Sequence, residues 1–233
     1  MRFATPLVRA RLIRRYKRFL SDVELPDGRV EVAHCANPGR MTGLAEPGMA
    51  VWLEPNDDPK KKLDWGWRLV ELPGGHFAGV DTGRANAVVG EGLAAGRIEG
   101  LPEFDDVRPE VRFDEGRRVD FLLSGAAGDT HLEVKSVTLS RQAGLAEFPD
   151  TVTARGTEHL KALARVARDG GRAALLYLVQ RSDCAAVALA ADIDPAYAQA
   201  ASEARAAGVR MLAHGTRITP EGITLGPALP FRG

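Results

Sequence analysis

Cysteine, aromatic residues and net charge are all scarce in this chain of 233 residues. The two cysteines, Cys35 and Cys184, lie far apart and without a Cys-x-x-Cys partner, so a structural zinc site has no support and reduced thiols are expected. No run of about eighteen apolar residues occurs, and the arginine-containing start lacks the apolar stretch of a secretory signal. A soluble, cytoplasmic protein is therefore expected, with no membrane partner. Internal repeats, low-complexity tracts and long linkers are missing as well. What remains is ordinary for a globular chain: 45% hydrophobic residues, enough to bury the core of one large or two small domains.

The formal net charge of zero conceals an uneven distribution. Up to Val80 there are thirteen Lys or Arg against ten Asp or Glu, and afterwards eighteen against twenty-one. Arg2, Arg9, Arg11, Arg14, Arg15, Lys17 and Arg18 all precede the first acid, Asp22. Such a basic edge suits phosphates, so Arg11, Arg15, Tyr16, Lys17 and Arg18 are read as nucleic-acid contacts. Six strand-like pieces follow, Val8 to Ile13, Arg18 to Leu25, Val30 to His34, Ala50 to Glu54, Arg68 to Leu72 and Phe77 to Val80, punctuated by turn signals such as Asn37-Pro38-Gly39. Short strands at this spacing suit a small barrel. Asn37 and Arg40 sit in or beside a turn whose amides suit a phosphate. Lys60-Lys61-Lys62 with Trp65 and Trp67 joins cations to large rings, as single-strand binders do, although a tryptophan in a small barrel reads equally as core.

Two further segments carry the chemistry. In Arg117 to Ser124 and His131 to Leu139 apolar and polar residues alternate, so both read as strands, joined by a small polar loop of about six residues. Symmetric closure puts Asp120 opposite Lys135 and brings Asp120, Glu133 and Lys135 onto one face; a slip of one residue would separate them. Two carboxylates are hard ligands suited to Mg²⁺ or Mn²⁺, which keeps several waters, and a lysine beside them suits a developing negative charge. Asp120 and Glu133 are thus the expected metal ligands and, with Lys135, the expected catalytic group for phosphodiester hydrolysis.

At these residues the chain resembles the PD-(D/E)xK nuclease superfamily, and more narrowly the sugar fermentation stimulation protein A family. The narrower likeness rests on Arg15-Tyr16-Lys17-Arg18-Phe19-Leu20, His34-Cys35-Ala36-Asn37-Pro38-Gly39, Arg118-Val119-Asp120-Phe121-Leu122, Glu133-Val134-Lys135-Ser136-Val137-Thr138-Leu139 and Phe148-Pro149-Asp150. The resemblance implies an all-β N-terminal OB-like barrel, residues 1–81, and a nuclease-like mixed-sheet α/β domain, residues 82–233. It also implies a DNA-binding role, with RNA a further possibility. The motif's aspartate is Asp120 and not Asp150, which instead reads as a cap for the region that follows. Glu158 departs from the family, standing where a basic residue is usual beside His159.

Beyond the barrel, Arg84 to Ile98 reads as a helix with Thr82 as N-cap. By likeness to the superfamily, Glu91 on this helix is the expected fourth member of the catalytic group, with Glu110 a weaker competitor. A second helix from about Thr157 to Arg168 carries Arg155, His159 and Lys161 on or beside it, of which Arg155 best suits a bidentate phosphate contact. Gln180 closes an apolar strand, Ala173 to Val179, and marks a further position where superfamily members present a site residue. The expected activity is a Mg²⁺- or Mn²⁺-dependent nuclease, a hydrolase acting on DNA. The alternative is a non-catalytic DNA-binding regulator of sugar metabolism genes that retains the nuclease-like fold. Oligomeric state, substrate structure and sequence preference leave no mark in the sequence.

Overall fold

A computed structural model describes residues 1–60 and 62–233. Lys61, from the expected lysine cluster, lies outside the described residues.

The first strands are β1 (Val8–Tyr16), β2 (Leu20–Glu24), β3 (Val30–Cys35), β4 (Ala50–Pro55), β5 (Trp65–Leu72) and β6 (His76–Gly79). They run β3-β2-β1-β4-β5-β6, and a parallel pairing of β3 with β5 closes the first five into an OB barrel. Alternation puts Leu12, Val23, Ala33, Val51, Leu53 and Val70 inside. Trp67 joins them, fully buried, with its indole N–H donated to the Leu69 carbonyl at 2.9 Å. It is core, so of the two tryptophans considered for stacking only Trp65 reaches the surface. β1 outruns its expected end because an irregularity between Leu12 and Arg14 lets it stay paired with β2. Lys17 and Arg18 then turn the chain at φ 48° and 65°, which delays β2 to Leu20.

The α/β domain contains α1 (Arg84–Ala94), β7 (Asp106–Arg112), β8 (Arg118–Ser124), β9 (Thr130–Val137), β10 (Leu139–Gln142), β11 (Gly144–Phe148), α2 (Ala154–Arg168), β12 (Arg172–Val179), β13 (Cys184–Leu189), α3 (Pro195–Ala206), β14 (Arg210–Thr219), β15 (Gly222–Ala228) and β16 (Phe231–Arg232). Its main sheet runs β15-β14-β12-β9-β8-β7, parallel in the middle and antiparallel at both edges. A smaller sheet, β10-β11-β13-β16, stands beside it. Ala85, Val88, Val89 and Leu93 form the apolar stripe that seats α1 on one side of the main sheet, against Phe121, Leu132, Val134 and Leu176. α2 and α3 cover the other side through Leu160, Leu163, Tyr197 and Ala201. Among the described residues no helix is long and apolar enough to cross a membrane.

Barrel and α/β domain are fastened together. Phe3 and Leu69 belong to the α1-side core, Arg2 bridges to Gly222, and the Gly79 N–H reaches the Gln180 carbonyl at 2.8 Å. Beneath this seam lies a charge network in which Glu54 accepts from Arg68 (2.7 Å), Arg84 (2.5 Å) and the Ala4 N–H (2.8 Å), while Arg68 also reaches Asp81 at 2.8 Å.

Candidate active site

β8 and β9 pair through Phe121↔Leu132, Leu122↔His131 and Leu123↔Thr130, and there the ladder ends. The register differs by two residues from symmetric closure, so Asp120 is not opposite Lys135. An even shift preserves the pleat, which is why Asp120 and Glu133 still meet. Beyond Phe121 the strands part, and Asp120 turns its carboxylate into the fork, where Oδ2 accepts the Val134 N–H at 2.7 Å. Oδ1 accepts from Asn86 Nδ2 of α1 at 2.8 Å. Asp120 is therefore held between strand and helix rather than displayed on a sheet face.

Glu133 is buried, and one of its oxygens carries the compensation. Oε1 accepts from Lys135 Nζ at 2.6 Å and from His159 Nδ1 of α2. Arg155 Nε donates to the other ring nitrogen of His159 at 3.4 Å, so the two contacts together specify the Nδ1–H tautomer. Oε2 of Glu133 has no protein donor among the described residues. Burial pushes the Glu133 carboxyl up, but His159 and Lys135 together outweigh it and hold the acid below its ordinary value. Asp120 goes the other way. Burial raises it first and the Glu133 charge raises it further, against the Val134 N–H, Asn86 and Lys135.

Both acids open onto a cleft of about 640 Å³ whose walls come from the two domains, with Arg18, Asn37 and Gly39 on the barrel side and Asn86, Lys135 and Arg155 among those opposite. The barrel lip is braced. Arg15 Nη2 donates to the carbonyls of Asn37 (2.7 Å) and Gly39 (3.0 Å). Buried Asn37 accepts the Gly39 N–H at 2.8 Å and donates to Val80 at 3.0 Å. Asp150 accepts the Met41 N–H across the cleft at 3.2 Å, so it ties the lip to the α/β domain, and Thr153 caps α2 in its place.

Several expected site residues lie elsewhere. Glu91 pairs with the terminal amine of Met1 and is not part of the cleft wall. Five residues beyond Asn86, it is turned about 140° around α1, so the helix cannot present both to one site. Glu110 is exposed, 4.0 Å from Arg118. Three cations of the basic edge are neutralised by acids, Arg9 by Glu71, Arg11 by Glu24 and Arg14 by Asp22. Tyr16 lies under the Arg14 guanidinium, 5.0 Å from ring centre to carbon. Arg15 and Asn37 are spent on bracing the lip, and Lys17 and Arg40 are exposed outside the cleft. Lys161 pairs with Glu158. Gln180 is wholly buried behind the cleft, donating to Ser136 Oγ at 2.7 Å. Thr82 does not cap α1 with its side chain. Arg18 and Arg155 alone, of the expected arginine contacts, line the cleft without a carboxylate partner among the described residues.

A family model described as the sugar fermentation stimulation protein RE domain matches residues 83–222, and the SfsA N-terminal OB domain matches residues 13–80. The chain belongs to the sugar fermentation stimulation protein family. A homologue of that protein from Jannaschia sp. (strain CCS1) is 60% identical over 232 residues, covering 99% of this chain and 96% of its own. One from Ruegeria sp. (strain TM1040) is 60% identical over 231 residues, covering 99% and 100%. The structure of Pyrococcus furiosus SfsA in complex with Ca²⁺ matches with a TM-score of 0.84 at 27% identity, over 100% of this chain and 98% of that one.

Among the described residues no group of three or more His, Cys, Asp or Glu is arranged as a metal cluster. A hard divalent ion needs less, since it keeps several waters and usually takes one or two carboxylates. Asp120 and Glu133 fit that requirement: Asp120 carries charge its surroundings leave uncompensated, and Glu133 offers a free oxygen.

Proposed function

We propose that this protein is a divalent-metal-dependent nuclease that hydrolyses phosphodiester bonds in nucleic acid bound between barrel and α/β domain. The observation that carries the reading is the fork of β8 and β9, where half-buried Asp120 stands beside buried Glu133, which has Lys135 on one oxygen and no protein donor on the other among the described residues. Those two acids would hold Mg²⁺ or Mn²⁺, which when bound polarises a phosphoryl oxygen and lowers the pKa of a water. The Ca²⁺ complex of the Pyrococcus relative supports a hard cation. Lys135, fixed by Glu133 at 2.6 Å, puts a positive charge beside the reacting phosphate. His159 orients Glu133, and Arg155, having given only its Nε to His159, keeps both terminal nitrogens for phosphate. Arg18 offers a second guanidinium from the opposite wall.

The contacts on Glu133 Oε1 also favour a second reading, in which the acid is internally satisfied and the protein is a non-catalytic DNA-binding regulator. The experiment that separates them is Mn²⁺-dependent cleavage of labelled single-stranded, duplex and branched DNA and of RNA. Native protein is expected to cut at least one of these, and Glu133→Gln/Lys135→Ala to lose about a thousandfold or more in rate. Salt-sensitive binding with no cleavage by either protein would establish the second reading instead.

A further inference from the structure

We infer that the barrel carries a stacking platform for single-stranded nucleic acid, built from Phe19 and His34, which leads a strand into the cleft; the inference rests on the nuclease reading and specifies its substrate. Phe19 is 43% exposed, in a molecule that leaves only two other large hydrophobic side chains, both valines, exposed among the described residues. Its ring stacks on His34, 6.4 Å between centroids and 29° between planes. His34 is exposed on β3 at the seam where that strand meets β5, directly opposite Gly66. Around Gly66 lies a hollow of about 370 Å³ lined by His34, Arg68, Lys62 and half-buried Trp65, and the Arg68 guanidinium packs directly on Gly66.

The chemistry of these groups selects the ligand. Every base has a π-face, so a row of rings beside cations holds successive nucleotides with little regard to sequence. A duplex offers no such faces, because its bases already stack on one another. The position is also apt, since the β1–β2 and β4–β5 loops of an OB barrel flank its oligonucleotide face, and Phe19 and Lys62 lie in those loops. Phe19 follows Arg18, which lines the catalytic cleft, so the platform adjoins the cleft through neighbouring residues. The cleft agrees with a single strand. At about 640 Å³ it is the size of a small-ligand site, room for a nucleotide or two, and its lip is tied to the far wall through Asp150 and Met41. Gly39 lies so close to Asp150 that a Cβ there would come within 2.3 Å of the carboxylate, so the lip and the far wall are in direct contact at this point.

The test is fluorescence anisotropy with a labelled fifteen-residue thymidine strand and with a duplex of equal length, using the full chain in EDTA so that no cleavage accompanies binding. Native protein is expected to prefer the single strand, and Phe19→Ala and His34→Ala each to weaken it by about tenfold while binding duplex as before. Phe19→Leu keeps the apolar surface and removes the stacking ring, so it should fail like Phe19→Ala; full affinity in Phe19→Leu would overturn the platform even if Phe19→Ala bound poorly. Equal affinity of native protein for strand and duplex would also overturn it. Cleavage by native protein together with unimpaired binding by these variants would leave the nuclease reading standing and remove the platform alone.

Discussion

Two buried charge clusters in this molecule make opposite use of the same residue types. At the domain seam Glu54 and Asp81 face Arg68 and Arg84, two charges against two. In the fork of the main sheet Asp120 and Glu133 meet Lys135 and a histidine tied to Glu133. Burial does not distinguish them, since the Glu54 and Glu133 side chains are each 5% exposed. Compensation does. Burial pushes Glu54 up, but Arg68, the Ala4 N–H and Arg84 more than reverse it and hold the carboxyl below its ordinary value. Asp120 is left raised by burial and by its neighbour's charge. A cluster whose charges cancel is a joint between domains, whereas one that retains unbalanced negative charge is suited to take up a cation.

Glu54→Gln breaks the comparison with the largest effect. Removing the acid leaves two enclosed guanidiniums sharing Asp81, and a loss of about 3 kcal/mol in unfolding free energy is expected at pH 7. Its pH dependence has a definite sign. Because the folded carboxyl is held below its unfolded value, its stabilisation is present above the ordinary glutamate range and is lost as pH falls through the lower folded value. Native protein and Glu54→Gln, followed by denaturant unfolding, should therefore converge in acid.

A smaller effect sharpens the picture of the surface. Arg18→Ala/Arg155→Ala should weaken binding of nucleic acid and reduce the slope of log affinity against log salt by about 2, one for each lost phosphate contact. Arg11→Ala/Arg14→Ala, which removes arginines already paired with Glu24 and Asp22, should leave that slope unchanged.

The same contrast explains what the sequence made legible. Barrel strands were readable because alternation and turn residues are local, and the grouping of Asp120, Glu133 and Lys135 because their spacing along two alternating strands puts them on one face. The fork was not readable. It arises where β8 stops pairing with β9, and Asp120 replaces a backbone acceptor for Val134. Asn86 carried no signal, being neutral in the first turn of a helix, whereas charged Glu91 drew the eye although helical rotation takes it away. The acid partners of the basic start were not readable for a related reason. Glu24, Asp22 and Glu71 come from β2 and β5, and only strand pairing brings them alongside β1 or across the barrel. The strands β10, β11, β15 and β16 went unread: β10, β15 and β16 lie at sheet edges, and β11 and β16 both take β13, from elsewhere in the chain, as a partner.

The most direct test of the account is calorimetric titration of Mn²⁺ into native protein, Asp120→Asn and Glu54→Gln, with the unfolding of each followed in EDTA. Native protein and Glu54→Gln should bind one ion in the cleft. Asp120→Asn should lose at least tenfold in affinity yet be no less stable than native protein without metal, because the raised carboxyl it removes opposes folding at neutral pH. Undiminished Mn²⁺ binding by Asp120→Asn would contradict the central claim and move the cation away from the fork.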